Sequence, residues 1–125
     1  MSDQIIYCEM HTPKHQASRE FYARMFDWKI EALDTRHGPY FGVETPQGIR
    51  AGILPVVAGT PSGWVPYVEV ADLDEAVARA RKLGATVIVD RLEIPGRGAY
   101  GLLEDPAGAV VGLWQKLPPV SDTEA

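Results

Sequence analysis

The chain opens on an alternating pattern. Ile6, Cys8 and Met10 point one way, Tyr7 and Glu9 the other, the period of a strand with one apolar face. The period then lengthens. Ala17, Phe21 and Met25 recur at helical spacing, with Tyr22 and Phe26 beside them, and predict a helix that packs this stripe inward. Thr12-Pro13 stands where the helix would open, threonine as N-cap and proline at the first helical position. Asp27 follows at the position where left-handed backbone is expected. Two more strands are predicted around 39–44 and 49–54. The turn Thr45-Pro46-Gln47-Gly48 separates them, with proline second and glycine fourth, as a type I turn prefers.

The second half repeats this pattern. A strand over 64–70 leads to Asp72-Leu73-Asp74-Glu75, a start resembling a capping box. Leu73, Ala76, Val77, Ala80 and Leu83 form one helical face. Acids lie in the first turn and Arg79, Arg81 and Lys82 in the last, which suits the helix dipole. Gly84 ends the helix, and strands follow over 86–92, 99–104 and 109–115.

The halves align residue for residue at an offset of 60: Tyr7 with Tyr67, Glu9 with Glu69, Gly38 with Gly98, Tyr40 with Tyr100, Pro46 with Pro106, Gly52 with Gly112. A three-residue gap in the middle brings Asp27 onto Gly84. A unit that recurs twice predicts a pseudo-twofold domain rather than a solenoid, which needs at least about three repeats. The expectation is an α+β domain of two tandem βαβββ modules. Module one runs over about 4–56, a linker over 57–63, module two over about 64–115, and a frayed tail over 116–125.

Composition narrows the function. A length of 125 residues suits one domain. Net charge is −5, from 17 acids and 12 bases, with no basic stripe of the kind nucleic-acid binding needs. No run approaches the ~20 apolar residues of a membrane span, and the start lacks the pattern of a secretory signal. A cytoplasmic protein is the expectation. Cys8 is the only cysteine, which rules out an intrachain disulfide or thiolate metal cluster. It reads as a buried apolar residue.

The segments 19–30, 65–87 and 100–114 resemble the vicinal-oxygen-chelate superfamily, which includes glyoxalase I, extradiol dioxygenases and bleomycin-resistance proteins. The most specific piece is the Asp105-Pro106-Ala107-Gly108 turn before a final apolar strand. The resemblance covers roughly residues 4–115. It implies a curved eight-stranded cup with helices outside and a ligand, often with a divalent metal, inside. It also places the metal ligands on the first and last strand of each module, at Tyr7, Gly52, Tyr67 and Gly112. Glycine offers no side chain, and neutral tyrosine is a poor ligand for Zn²⁺ or Mg²⁺. The expectation is therefore no metal cofactor at the family positions.

Strand parity then assigns faces. If Tyr7 faces the cup, so do Glu9, Arg50, Gly52 and Leu54, with Val65, Tyr67, Glu69, Val110, Gly112 and Trp114 in the second module. The opposite parity (Ile6, Cys8, Met10, Ile49, Ala51, Ile53, Pro66, Val68, Val70, Val111, Leu113) is apolar and belongs under the helices. Aromatic walls with a few charges suit a small organic ligand. Glu9 and Glu69 are candidate acid/base residues that could share a proton or hold a cation. Alternatively they accept local hydrogen bonds or pair with Arg50, itself a candidate clamp for a carboxylate or phosphate. Gly52 and Gly112 either leave space for ligand or admit close backbone approach. His11, His15 and His37 match no HxH or HxxxH spacing. His11 would lie at the rim, where a Glu9/His11 metal site is conceivable; His15 would be exposed. Segment 91–100 reads as glycine turns or a lid.

Three functions remain open: a metal-independent small-molecule binder, a glyoxalase-like enzyme using Glu9 or Glu69 or an altered metal set, and an interaction module. The absent metal ligands favour the binder. The resemblance also makes a homodimer plausible.

Overall fold

Ten elements follow the expected order in the computed structural model: β1 (Ile5–Thr12), α1 (His15–Met25), β2 (Lys29–Thr35), β3 (Gly38–Glu44), β4 (Arg50–Pro55), β5 (Gly63–Glu69), α2 (Leu73–Lys82), β6 (Thr86–Ile94), β7 (Gly98–Glu104) and β8 (Val110–Lys116). The class is α+β and the βαβββ order occurs twice. The described residues are 3–35, 38–46, 48, 50–56, 62–94 and 96–116. His37, part of the 45–48 turn, Ile49, most of the 57–63 linker and the 117–125 tail lie outside them. Among the described residues no helix is long and apolar enough to cross a membrane.

The chain divides into two compact units, Ile6–Pro66 and Tyr67–Ala125 with Met1–Ile5. In the first, the strand order is β2-β3-β4-β1. β2, β3 and β4 form an antiparallel meander and β1 runs parallel to β4. Phe41, Val43, Ala51 and Ile53 make the core, with Met10, Tyr22, Trp28 and Ile30 packed on it. Met10, Ala51 and Ile53 are the parity assigned to the helix side, so the sheet's faces follow the alternation.

Helix α1 departs from expectation at both ends and on its face. β1 runs on through Thr12, whose carbonyl accepts from the Val56 N–H at 3.0 Å. Thr12 is thus not the N-cap. Its Oγ1 accepts from the Lys14 N–H at 3.0 Å, and the helix begins at His15 with Lys14 at the cap and no side-chain cap. Asp27 is not left-handed either, because Phe26 is already extended (φ −129°, ψ 161°) and leads straight toward β2. The expected inward stripe faces outward: Phe21 is 58% and Met25 60% exposed. Tyr22, one position on, packs instead. It stacks on Trp28 at 5.6 Å and its hydroxyl accepts from the Trp64 indole N–H at 3.2 Å. A tyrosine so placed covers apolar surface and satisfies its polar tip.

The second unit orders its strands β6-β7-β8-β5. Leu73 and Val77 of α2 are buried with Ala99, against Val70, Val87 and Leu113. Asp72 caps the helix, its Oδ1 accepting from the Glu75 N–H at 3.1 Å. Only half of the capping box forms, since the Glu75 carboxylate turns to Arg79. Leu83, assigned to the inward face, is 71% exposed, because it lies beyond the last helical turn as the C-cap. Gly84 follows at φ +98°, where other residues are strained. The 105–108 turn closes with the Gly108 N–H on the Asp105 carbonyl at 2.9 Å. Within segment 91–100, β6 continues to Ile94, whose carbonyl accepts from the Arg97 N–H at 2.9 Å, a turn of the kind its glycines were expected to serve.

The β3–β4 register recurs in β7–β8, as in Gly42↔Gly52 and Leu102↔Gly112. The β2–β3 register starts alike in β6–β7, with Lys29↔Glu44 and Thr86↔Glu104, before two irregularities in β6 shift it. The parallel pairs differ as well. Gly52 lies opposite Glu9, whereas Gly112 lies opposite Tyr67, the counterpart of Tyr7. The β1 strand is therefore displaced by two residues relative to β5. An even displacement keeps every side chain on its face.

Candidate functional site

Glu9 and His11 are two apart on β1 and so project from the same face. Both are buried, at 8% and 4% exposure. His11 Nε2 lies 2.7 Å from Glu9 Oε1. The Tyr40 hydroxyl, from β3, donates to Glu9 Oε2 at 3.1 Å. Each carboxylate oxygen thus has its own partner, which offsets the cost of taking the group out of water. A buried carboxylate held between an imidazole and a phenol can anchor a donor group of a ligand or move a proton.

The two-residue displacement of β1 is what builds this cluster. It sets Glu9 beside Gly52. A Cβ on Gly52 would collide with the hydroxyls of Tyr40 and Tyr7. The space expected over Gly52 is therefore filled by two phenol tips, and the missing side chain is what lets them converge there.

The second unit handles the same pattern differently. The ring of Tyr67 covers Gly112, so that glycine leaves no open floor either. Tyr67 meets Tyr100 edge-on at 6.1 Å. Trp114 lies over Gly98, where a Cβ would approach its ring to 2.6 Å. Glu69 is half-buried, and its main chain pairs with residues 3 and 4. Ala71 stands where the repeat has His11, so no imidazole accompanies Glu69.

Other candidates fall outside these clusters. Arg50 is exposed at the start of β4, opposite Glu44. Among the described residues no ion pair joins it to Glu9, whose oxygens are taken by His11 and Tyr40. His15, expected to be exposed, is half-buried with its ring 5.5 Å from that of Phe41. Cys8 is half-buried. Leu54 and Val110 are half-buried and Val65 is buried.

Two residues were not foreseen as part of a site, Tyr40 and Tyr100. Their match at the common offset carried the signal, together with the β3–β4 pairing that the intervening turn implies.

Among the described residues the donor set is short for a divalent metal. At the family positions stand two glycines and two tyrosines. Glu9 and His11 supply two donors, and among the described residues no three His, Cys, Asp or Glu side chains converge. Stable sites ordinarily need more protein ligands than two.

The βαβββ order occurs twice, and the first unit carries a polar cluster on the sheet face away from its helix. The chain belongs to the glyoxalase-like domain family, whose sequence profile matches residues 6–113. It is 30% identical over 115 residues to CFP32 of Mycobacterium tuberculosis, a protein provisionally named a glyoxylase, covering 87% of this chain and 44% of that one. It is 26% identical over 128 residues to the anthracycline biosynthesis protein DnrV of Streptomyces peucetius, covering 86% and 45%. The chain spans less than half the length of these curated relatives.

Among solved structures, a variant of Streptomyces coelicolor methylmalonyl-CoA epimerase bound to 2-nitronate-propionyl-CoA matches with a TM-score of 0.64 at 16% identity, covering 97% of this chain and 99% of that one. A glyoxalase/bleomycin resistance protein/dioxygenase superfamily member from Vibrio splendidus 12B01 matches at 0.64 and 10%, covering 92% and 100%. At such identities the likeness is one of fold.

Proposed function

We propose that the chain binds a small organic molecule, with Glu9 as the polar anchor of the site and no divalent metal taking part. The observation that carries this reading is the buried Glu9 carboxylate, held at one oxygen by His11 and at the other by Tyr40. A fold stabilised by apolar packing alone has no use for such a group, and buried ionisable clusters concentrate at functional sites. In this reading Tyr7 and Gly52 belong to the same site as Glu9. Within the second unit, Tyr67 and Trp114 supply a separate aromatic surface, with Glu69 as its polar group. Arg50 is a secondary polar contact of the first unit. The ligand carries a hydrogen-bond donor or a positive charge to meet the carboxylate. The relatives suggest where to look: the anthracycline of one name and the CoA ester of the epimerase complex.

The 2.7 Å contact of His11 with Glu9 favours a second reading, proton-transfer catalysis. Glu9 would fix the imidazole's orientation and His11 would exchange a proton with a carbon acid.

The test is a ligand screen by NMR on the purified chain, using an anthracycline, methylmalonyl-CoA and simpler fragments of each, alongside elemental analysis. The binder reading expects chemical-shift changes at His11 and Tyr40, lost in Glu9→Gln. Binding that leaves those two residues unperturbed would overturn it, and so would a divalent metal at one per chain. Deuterium exchange into a bound carbon acid, abolished in His11→Asn, would favour the catalytic reading.

A further inference from the structure

Glu9, the proposed anchor for a ligand, is only 8% exposed, and Tyr40 stands over it. The Tyr40 hydroxyl donates to Glu9 Oε2 at 3.1 Å, and its tip fills the place that a Cβ on Gly52 would take. Tyr40 is half-buried, so part of the residue meets solvent while its tip meets the carboxylate. The strand beside it has room. Gly42 lies two residues on from Tyr40 and so on the same face of β3, opposite Gly52. Among the described residues a Cβ on Gly42 would meet only Leu33 Cδ1, at 3.3 Å. Leu33 is 41% exposed, and the end of an exposed side chain gives way readily. The second unit is filled at this point. There Leu102 stands opposite Gly112, and Tyr100 packs edge-on against Tyr67 at 6.1 Å.

We infer, on the reading of Glu9 as the anchor, that Tyr40 is a displaceable gate. A ligand hydroxyl takes over its hydrogen bond to Glu9 Oε2, and the phenol ring swings aside over Gly42. The exchange keeps the carboxylate satisfied. A buried oxygen stripped of its donor is costly, but Tyr40 supplies the donor in the free chain and the ligand supplies it in the complex. His11 keeps Oε1 throughout. The movement is a rotation between staggered side-chain wells. It asks nothing of the backbone, because the residue beside the ring carries no side chain. The group displaced is a neutral hydroxyl, so a ligand hydroxyl replaces it in kind and leaves the charge of the buried cluster unchanged. An ammonium would add a charge to a site already shielded from water. Tyr40 therefore determines specificity. It competes with the ligand for one carboxylate oxygen and yields to a group like its own. Tyr100, with a leucine at the equivalent of Gly42, has no such freedom.

Phenol, the simplest carrier of the displaced group, is the probe, titrated into the full chain and followed by NMR. It should shift the His11 signals. The nuclear Overhauser contact of the Tyr40 ring with Gly52 should give way to one with Gly42. Toluene, the same shape without the hydroxyl, should do neither. Tyr40→Phe removes the competing donor and keeps the ring, so it should tighten phenol binding about fivefold. Gly42→Leu fills the space beside the ring and should weaken it; if that chain fails to fold, Tyr40→Phe decides alone. Binding that is lost in Glu9→Gln but unchanged by Tyr40→Phe overturns the gate and leaves Glu9 as the anchor. Binding indifferent to Glu9→Gln overturns both. Absence of any response to phenol, or a tighter response to benzylammonium, overturns the hydroxyl exchange, while the anthracycline and CoA-ester screen still tests the anchor by itself.

Discussion

His11 Nε2 and Glu9 Oε1 lie 2.7 Å apart, both side chains buried on the same face of β1. The contact makes Glu9 as much a structural residue as a functional one, and the two contributions separate by substitution. Glu9→Ala leaves the imidazole and the Tyr40 hydroxyl without their acceptor. The expected loss is about 2–3 kcal/mol of unfolding free energy. Glu9→Gln keeps the shape and one acceptor oxygen, so about 1 kcal/mol is expected, with ligand response lost. Urea denaturation of the two variants, read by tryptophan fluorescence, measures both. A Glu9→Ala chain as stable as the parent would remove the cluster from any account of the fold.

The two equivalent glycines should not respond alike. At Gly52 the colliding atoms are mainly the ends of two phenols, which can swing away. At Gly112 they belong to the body of the Tyr67 ring, which is 5% exposed and has nowhere to go. Gly112→Ala should cost about 2–3 kcal/mol and Gly52→Ala about 1 kcal/mol. Denaturant midpoints decide the order; the reverse order would mean that the Tyr67 ring yields more readily than its burial implies.

Gly52→Ala should also couple to Tyr40. Tyr40→Phe alone forfeits one hydrogen bond to a buried carboxylate, about 1 kcal/mol. In the Gly52→Ala background the same change relieves the overlap, so its cost should shrink or reverse. A double-mutant cycle reads the interaction directly, and strict additivity would place the two groups out of contact.

These predictions rest on parts of the structure that were unequally legible beforehand. The β-strands and the turn at 105–108 were readable because parity and turn chemistry are local: Met10, Ala51 and Ile53 fell on the packed face that their alternation assigned. The face of α1 was not. Phe21 and Tyr22 head two overlapping apolar stripes on one helix, and Trp28 and Trp64, outside the helix, decide between them. The role of Tyr40 is not legible in the sequence because its partner Glu9 is 31 positions away, and no single-strand pattern reports a cross-sheet hydrogen bond. The displaced β1 register leaves no mark at all, since the sequence offset is the same on both sides of it.

The reassigned helical faces carry their own prediction. Val77→Ala, in the second unit's core, should cost about 2–3 kcal/mol. Leu83→Lys, on a side chain 71% exposed, should stay within about 0.5 kcal/mol. Thermal melts distinguish them, and a large loss at Leu83 would restore it to the packed stripe.

Removal of the α2 cap offers a local check. Asp72→Ala deletes the acceptor for the Glu75 N–H and should lower stability by about 1 kcal/mol, with Asp72→Asn nearly neutral. Equal losses in both would point to the carboxylate's charge rather than its hydrogen bond.

The slip of β1 against β4 means that the halves, though spelled alike, are not interchangeable parts. A chain rebuilt from two copies of the second half would set a tyrosine beside each glycine and an alanine where His11 stands, and the buried carboxylate–imidazole contact would be lost. A shift by an even number of residues leaves the hydrophobic code untouched. The same hydrophobic pattern therefore serves two different interiors, each set by the register of one strand.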